Sequence, residues 1–270
     1  MNPTPVISLV VSTFQRPDAL AAVLNSALSQ RVRPAEILVA DDGSTDATQA
    51  VVRDAAERCP VPLRHLWHPH QGFRLTRVRN MAIASAQGNY IVFVDGDMVL
   101  HPDFIGDHHR IARAGFFTQG VRVLLNDNRT RQLLAAPQVL PRFSEPGLGG
   151  LRRLYALHAP AVADHLAVFA NKLISIKGCN QGFWRSDLFA VNGFNEQIQG
   201  WGPEDKELCA RLEFHGLKRQ SLLFGGIAFH LHHAPANRER RAVNDEIFAA
   251  TLRGRLARCS TGLDDHAPVD

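Results

Sequence analysis

The sequence is 270 residues long, 45% hydrophobic and 21% charged, with formal net charge +4 and a sequence pI ≈ 9.1. That apolar content is enough to bury one sizeable core, or a core with a small appendage, and it excludes a disordered or low-complexity chain. Arginine carries nearly all the positive charge, since lysine stands only at 172, 177, 206 and 218; planar guanidinium groups favour anionic partners (nucleotides, nucleic acid or an acidic membrane face), among which charge alone does not choose.

The first hundred residues alternate strand and helix. Val6 to Ser12 is a short apolar, β-branched run, as expected of a strand buried on both faces. After Arg16-Pro17-Asp18 a helical stripe follows through Leu20, Val23, Leu24, Ala27 and Leu28, with Asp18 as its expected N-cap. A second strand is expected over Ile37–Ala40, a helix over 46–58, a weaker strand over Leu63–Trp67, a helix over 74–86 and a fourth strand over Tyr90–Val94. This rhythm predicts right-handed crossovers and a parallel sheet. Residues 126–170 are broken by Pro137, Pro141, Pro146, Gly147, Gly149 and Gly150, and read as a partly helical insertion. A helix is expected from about Pro203 to His215, with one or two strands within Leu222–Phe229. The tail from Ala242 to Leu256 reads as an amphipathic helix with Val243, Ile247, Phe248, Leu252 and Leu256 on one stripe. The chain therefore divides into 1–125, an insertion at 126–171, a second half at 172–235 and a helical tail at 236–270.

Cys59, Cys179, Cys209 and Cys259 form no CxxC pair, so a zinc knuckle or disulfide framework is not indicated and a reduced, cytoplasmic setting is expected. No apolar run approaches the roughly 18 residues of a membrane helix. Contact with a membrane surface stays open, through Arg152, Arg153 and the arginines of the tail.

Ligands of parallel sheets collect at the carboxyl ends of the strands. Three polar clusters fall there: Ser12 to Gln15, Asp41 to Ser44, and Asp95-Gly96-Asp97. Two carboxylates one residue apart across Gly96 can face one cation, or form only a solvated acidic turn. Asp41 and Asp42 read equally as a turn or as acceptors for a base N–H. Arg74 and Arg79, near a helix start, read as surface charges or phosphate ligands. In Gly200-Trp-Gly-Pro-Glu-Asp205 the Trp could stack on a sugar or fill the core, and the two acids could act chemically or favour the helix dipole. Alternation puts His230 and His232 on one face, and one histidine of the 230–233 run becomes a credible metal ligand beside a DxD.

Taken together, Val10 to Arg16, Leu38 to Asp46, Gln71 to Arg74, Arg79-Asn80 and Phe93 to Asp97 resemble the family 2 GT-A glycosyltransferases. Gly178 to Arg185, Asn192 to Glu196, Gly200 to Asp205 and Phe229-His230 resemble the galactosyltransferase-like C-terminal region found in some of them. The resemblance implies a GT-A α/β fold with a mostly parallel sheet and helices on both faces. It also implies a Mn2+ or Mg2+ cofactor, a nucleotide-sugar donor (UDP-linked) and a glycan or glycolipid acceptor. By it Ser12, Phe14, Arg16, Asp42, Arg74, Arg79, Asp95 and Gly96 would hold the nucleotide sugar, and Asp97 and His230 the metal. Trp201 and Glu204 would hold the acceptor, and Asp205 would be the general base of an inverting transfer. Lys206 stands where animal galactosyltransferases of this type continue the acidic run, which points to the bacterial surface-polysaccharide or lipopolysaccharide branch, at the inner face of the cell membrane. Phe14 replaces a common Tyr. A sugar-phosphate nucleotidyltransferase would carry a glycine- and base-rich loop after the first strand, which Ser12 to Pro17 is not. A non-catalytic glycan binder would not need Asp97, Asp205 and His230 together, and no nucleic-acid-binding module is present.

Overall fold

The structure, a computed structural model, describes residues 3–136, 139–172, 174–234 and 238–266. Pro137, one of the expected breaks in the insertion, and the last four residues of the tail lie outside the described residues. Strands β1 (Ile7–Thr13), β2 (Glu36–Asp41), β3 (Leu63–Trp67) and β4 (Tyr90–Asp95) pair in parallel in the order β3-β2-β1-β4. Helices α1 (Pro17–Leu28), α2 (Asp46–Arg58) and α3 (Leu75–Ser85) make the crossovers. Every residue of β1 and β2 is buried, as the unbroken apolar runs require. Leu9, Val11, Ile37 and Val39 pack on one face with Leu20, Val23, Leu24 and Val52 of α1 and α2. Val10, Leu38 and Ala40 pack on the other with Val78, Ala82 and Ile83 of α3. Asp18 is not the cap of α1: Pro17 already stands in the helix, Arg16 precedes it, and Asp18 lies in the first turn, where its charge favours the helix dipole.

The remaining elements are β5 (Met98–Leu100), α4 (Phe104–Ile111), β6 (Phe116–Gly120), β7 (Val123–Leu124), α5 (Asp127–Ala135), α6 (Pro160–Leu166), β8 (Asn180–Trp184), α7 (Arg185–Ala190), α8 (Glu204–Phe214), β9 (Lys218–Leu222), β10 (Ala228–His230) and α9 (Arg241–Gly254). β8 inserts antiparallel between β4 and β6, and β9 runs parallel to β6, giving the seven-stranded order β3-β2-β1-β4-β8-β6-β9. Strands before and after the insertion thus share one sheet. The insertion itself carries α5, α6 and 3-10 turns at Gly150–Ala156 and Phe169–Lys172. A second sheet, β5-β10-β7, sits beyond the end of β4 and brings His230 next to the segment that follows Asp97. The Leu222–Phe229 segment therefore supplies the end of one strand and the start of another, in different sheets.

Helix α9 (ending at Gly254, before Leu256) forms, but of its apolar stripe only Ile247 and Phe248 are half-buried and none is fully buried. Val243 (54%), Leu252 (44%) and Leu256 (48%) are exposed, whereas Asn244 and Thr251 are buried. The helix docks by hydrogen bonds. Asn244 Nδ2 donates to the carbonyls of Gln199 and Trp201 at 2.8 and 3.1 Å, and Thr251 Oγ1 to Glu207 Oε1 at 3.0 Å. Glu207 in turn grips Arg211 in a fully buried pair whose guanidinium also donates to the carbonyls of Val191 and Gly193. Helix α8 is thereby held at both flanks, and Glu204 and Asp205 begin it.

Candidate active site

A cleft of ≈ 550 Å³ opens at the carboxyl ends of β1, β2 and β4, and Ser12, Phe14, Arg16, Asp42, Asp95 and Gly96 line it. Asp97, His230, Trp201 and Glu204 are also in that wall. A second cleft of ≈ 280 Å³ adjoins it, with Arg79, Asp205 and Lys206 in its lining and Asp95, Trp201 and Glu204 common to both. Of the residues singled out from the sequence, Arg74 lines neither. Its guanidinium donates to Pro69 O at 2.8 Å and meets His68 Nδ1 at 3.0 Å, while its backbone N–H holds Asp42 Oδ2 at 2.8 Å.

The two acids at the end of β2 divide their work. Asp41 builds the turn: Oδ1 accepts from Ser44 N at 2.8 Å and Oδ2 meets His65 Nε2 at 2.9 Å. Asp42 faces the cleft. Its Oδ1 lies 3.1 Å from His68 Nε2 without making a hydrogen bond, and burial raises its pKa against the pull of the Arg74 amide and the nearby histidines. A buried carboxylate oxygen with spare acceptor capacity suits a base N–H. Beside it the Phe14 ring stacks on His70 at 4.7 Å.

At the end of β4, Gly96 is required by closeness rather than by a left-handed turn. A Cβ there would lie 2.9 Å from Ser12 O, to which the Gly96 N–H is bonded at 2.6 Å. Asp95 turns toward Arg79, whose Nη2 donates to Asp95 Oδ1 at 2.8 Å and whose Nε donates to Ser12 Oγ at 3.0 Å. Arg79 is 1% exposed, lies in the body of α3 rather than at its start, and rests against the rings of Phe93 and Phe194. It is neither a surface charge nor a helix-terminal one. Nη1 remains unbonded against Gly178, where a Cβ would approach to 3.1 Å. Asp97 turns the other way. Its Oδ2 meets Arg16 Nη1 at 3.1 Å and His233 Nε2 at 3.2 Å, and its Oδ1 lies 3.7 Å from His230 Nε2. Asp97 Oδ1 is buried without a hydrogen bond.

Burial raises both carboxylates of this turn. For Asp95 the neighbouring Asp97 adds to it and Arg79 opposes; for Asp97 the opposition comes from His233, Arg16 and Arg122. Burial, with Arg122 close by, lowers His230 to about 4, so its imidazole is neutral at pH 7. A neutral imidazole, an orphaned carboxylate oxygen and a second histidine within 4.8 Å of one another are the donor set of a divalent cation, and the site fits one. His232 does not share this face. The strand ends at His230, Leu231 N bonds Asp97 O at 2.9 Å, and the chain turns so that His233 comes round instead.

Glu204 and Asp205 stand together at the first turn of α8. Burial, then the charge of Asp205, pushes Glu204 up to about 8, and burial also raises Asp205. Arg79 lowers both, so one guanidinium acts electrostatically on Asp95, Glu204 and Asp205. Trp201 is 37% exposed, with the guanidinium groups of Arg238 and Arg241 over its ring at 4.6 and 5.6 Å. Sequence reasoning missed Arg122 and Lys177, which line both clefts, and His68, His70 and Arg238. Their only sequence signal was basic character, shared with many surface positions.

Residues 8–173 match the family model described as "Glycosyl transferase family 2", and residues 165–234 that described as "N-terminal domain of galactosyltransferase". Among curated proteins the chain is 27% identical over 232 residues to a validoxylamine A glucosyltransferase of Streptomyces hygroscopicus subsp. limoneus, covering 79% of this chain and 49% of that one. It is 24% identical over 267 residues to a chondroitin synthase of Escherichia coli, covering 93% and 38%. The chain therefore spans half or less of the length of these relatives. Among solved structures it is similar to a mannosyltransferase from Pyrobaculum calidifontis in complex with GDP-Man and Mn2+, with TM-score 0.64, 19% identity and coverage of 93% and 65%. It is also similar to residues 1–349 of S. aureus TarS in complex with UDP-GlcNAc, with TM-score 0.57, 16% identity and coverage of 96% and 68%. The fold is GT-A-like, as the resemblance implied. Among the described residues no helix is long and apolar enough to cross a membrane. With the family match extending over more than half of its length, the chain belongs to glycosyl transferase family 2.

Proposed function

We propose that this chain transfers a sugar from a UDP-linked donor to a hydroxyl of a glycan or glycolipid, with inversion at the anomeric carbon. The observation that carries the reading is the junction of the two clefts, where Asp95 and Glu204 serve both and Arg79 stands between the acid pairs. In this reading the larger cleft takes the donor. Asp42 accepts the base N–H, Phe14, backed by the His70 ring stacked on it, offers its face to the base, and Arg16, Arg122 and Lys177 face the diphosphate.

Asp97 and His230, with His233 beside them, are the groups that would hold Mn2+ or Mg2+, as the orphaned Asp97 Oδ1 suggests. When bound, that ion would offset charge on the departing nucleoside diphosphate. The acceptor occupies the smaller cleft against Trp201 and Glu204. Asp205 takes the proton from its hydroxyl while that oxygen forms a bond to the anomeric carbon and the carbon–phosphate-oxygen bond breaks on the opposite side. Burial suits Asp205 to this task, because a raised pKa makes it a stronger base once it is ionised. A role in bacterial surface-polysaccharide assembly is consistent with the exposed apolar and arginine side chains of α9, which suit an amphiphilic acceptor or a membrane surface.

A thermal-shift screen of UDP- and GDP-sugars with and without Mn2+ tests the proposal. Stabilisation by a UDP-sugar that grows with Mn2+ is expected; stabilisation by no nucleotide sugar, or by GDP-sugars alone, would overturn the donor assignment.

A further inference from the structure

A second cluster of metal-ligating side chains lies away from the cleft, and the proposed transfer makes no use of it. His101 follows β5, Asp103 immediately precedes α4, and His158 comes from the insertion, just before α6. Ligand atoms of the three lie within 4.8 Å of one another. Asp103 Oδ2 is 3.7 Å from His101 Nδ1 and 3.8 Å from His158 Nδ1. Those distances exceed a hydrogen bond. They approach the separation of about 3.4 Å between two ligands that share one tetrahedral zinc ion at about 2.1 Å.

The hydrogen bonds fix which nitrogens carry lone pairs. Asp107, with its side chain 1% exposed, already accepts from Arg110 and Gly226, and its Oδ2 lies 2.9 Å from His158 Nε2. A carboxylate can only accept, so His158 Nε2 carries a hydrogen, and in the neutral imidazole Nδ1 then carries the lone pair. The Asp103 N–H donates to His101 Nδ1 at 3.2 Å, so that nitrogen is also a lone-pair atom. In the neutral rings, which lie 4.7 Å apart between centroids and tilted by 32°, two nitrogens able to bind a cation thus stand within 3.8 Å of one carboxylate oxygen. The charge offsetting them comes from Arg31, whose side chain is 68% exposed and pairs with Asp103 from the rim. The Asp107–His158 bond is the carboxylate–histidine arrangement that orients metal-bound imidazoles. The three side chains are 22–24% exposed, so a cation and its water can reach them.

We propose that His101, Asp103 and His158 form a second, structural metal site that takes a zinc-type divalent cation and ties the insertion to β5 and α4. Binding would exchange the Asp103 N–H···His101 hydrogen bond and part of the Arg31 pairing for metal–ligand bonds. The ion would fix the 3-10 turn and α6 against the sheet, at a distance from the donor cleft.

The test uses the full chain, freed of metal by chelator, in an Asp97→Asn/His230→Gln/His233→Gln background that removes the cleft's own ligands and so reads this site independently of the proposed function. Equilibrium dialysis with Zn2+ should give one ion per chain, with a zinc-dependent rise in Tm. His158→Gln added to that background should weaken binding at least tenfold and remove the rise, while Tm without zinc stays within a few degrees. No bound zinc in the background variant, or equal binding with and without His158→Gln, would overturn the proposal. Should His158→Gln fail to fold, His101→Gln, which leaves the Asp107 contact intact, is read in its place with the same two outcomes.

Discussion

Arg79 donates to Asp95 Oδ1 at 2.8 Å from inside the core, and the same guanidinium opposes the rise that burial gives the pKa of Glu204 and Asp205. The acidic turn after β4 and the acid pair of α8, far apart in sequence, thus share one counter-charge. Arg79→Met should leave Asp95 uncompensated and strand the Ser12 hydroxyl, costing about 2–4 kcal/mol in urea unfolding. Arg79→Lys should recover only part of this, since an ammonium cannot fork between Ser12 and Asp95.

The acid pair carries a stability signature in the ligand-free protein. Glu204 has a folded pKa of about 8, against an ordinary value of about 4.3 in the unfolded chain. Between those values the folded state holds a proton that the unfolded state has lost, so stability falls as pH rises, by up to about 1.4 kcal/mol per unit. Glu204→Gln should therefore raise Tm at pH 8 and leave it nearly unchanged at pH 4, while acceptor use declines. A variant Tm below wild type at pH 8 would contradict the assigned burial.

Asp97 Oδ2 is held by Arg16 at 3.1 Å while Oδ1 has no hydrogen bond. If Asp97 and His230 hold the cation, Mn2+ should tighten UDP binding in the wild type and have little effect in Asp97→Asn, read by calorimetry. Arg16→Ala should tighten Mn2+ alone, because a competing cation leaves the carboxylate, yet weaken UDP if Arg16 also faces the diphosphate.

Asn244 Nδ2 bonds the carbonyls of Gln199 and Trp201 on either side of Gly200, and a Cβ on Gly202 would strike that amide at 2.7 Å. The loop bearing Trp201 is thereby set from α9. Asn244→Ala should lower stability by about 1–3 kcal/mol and raise the acceptor KM more than the donor KM. Equal effects on both would remove α9 from acceptor positioning.

Much of this was legible in the sequence because it follows local rules. β1, β2 and β4 announce themselves as apolar runs, β3 with its Arg64 and His65 only weakly, and the acids stand at strand ends, where a parallel sheet gathers its ligands. β8 was not legible as a strand. Its Asn180 and Gln181 are fully buried because Asn180 Nδ2 donates to the carbonyls of Val121 and Gly226 and Gln181 Nε2 to Gln119 Oε1, and a strand satisfied in that way has no apolar signature. The buried face of α9 escaped for the same reason: Asn244 and Thr251 dock by hydrogen bonds while Val243 and Leu252 stay outside. Arg122 and Lys177 meet the acids only through tertiary structure, and no spacing encodes that. His233 joined Asp97 because the chain turns after His230, where strand alternation no longer applies.

The central claim is that Asp205 removes the acceptor proton while the donor is held elsewhere, and UDP release by Asp205→Asn with Mn2+ and acceptor present tests it most directly. Turnover should fall at least a hundredfold, the scale of a lost general base, with the UDP Kd within a fewfold of wild type. Turnover within a fewfold of wild type would contradict the account.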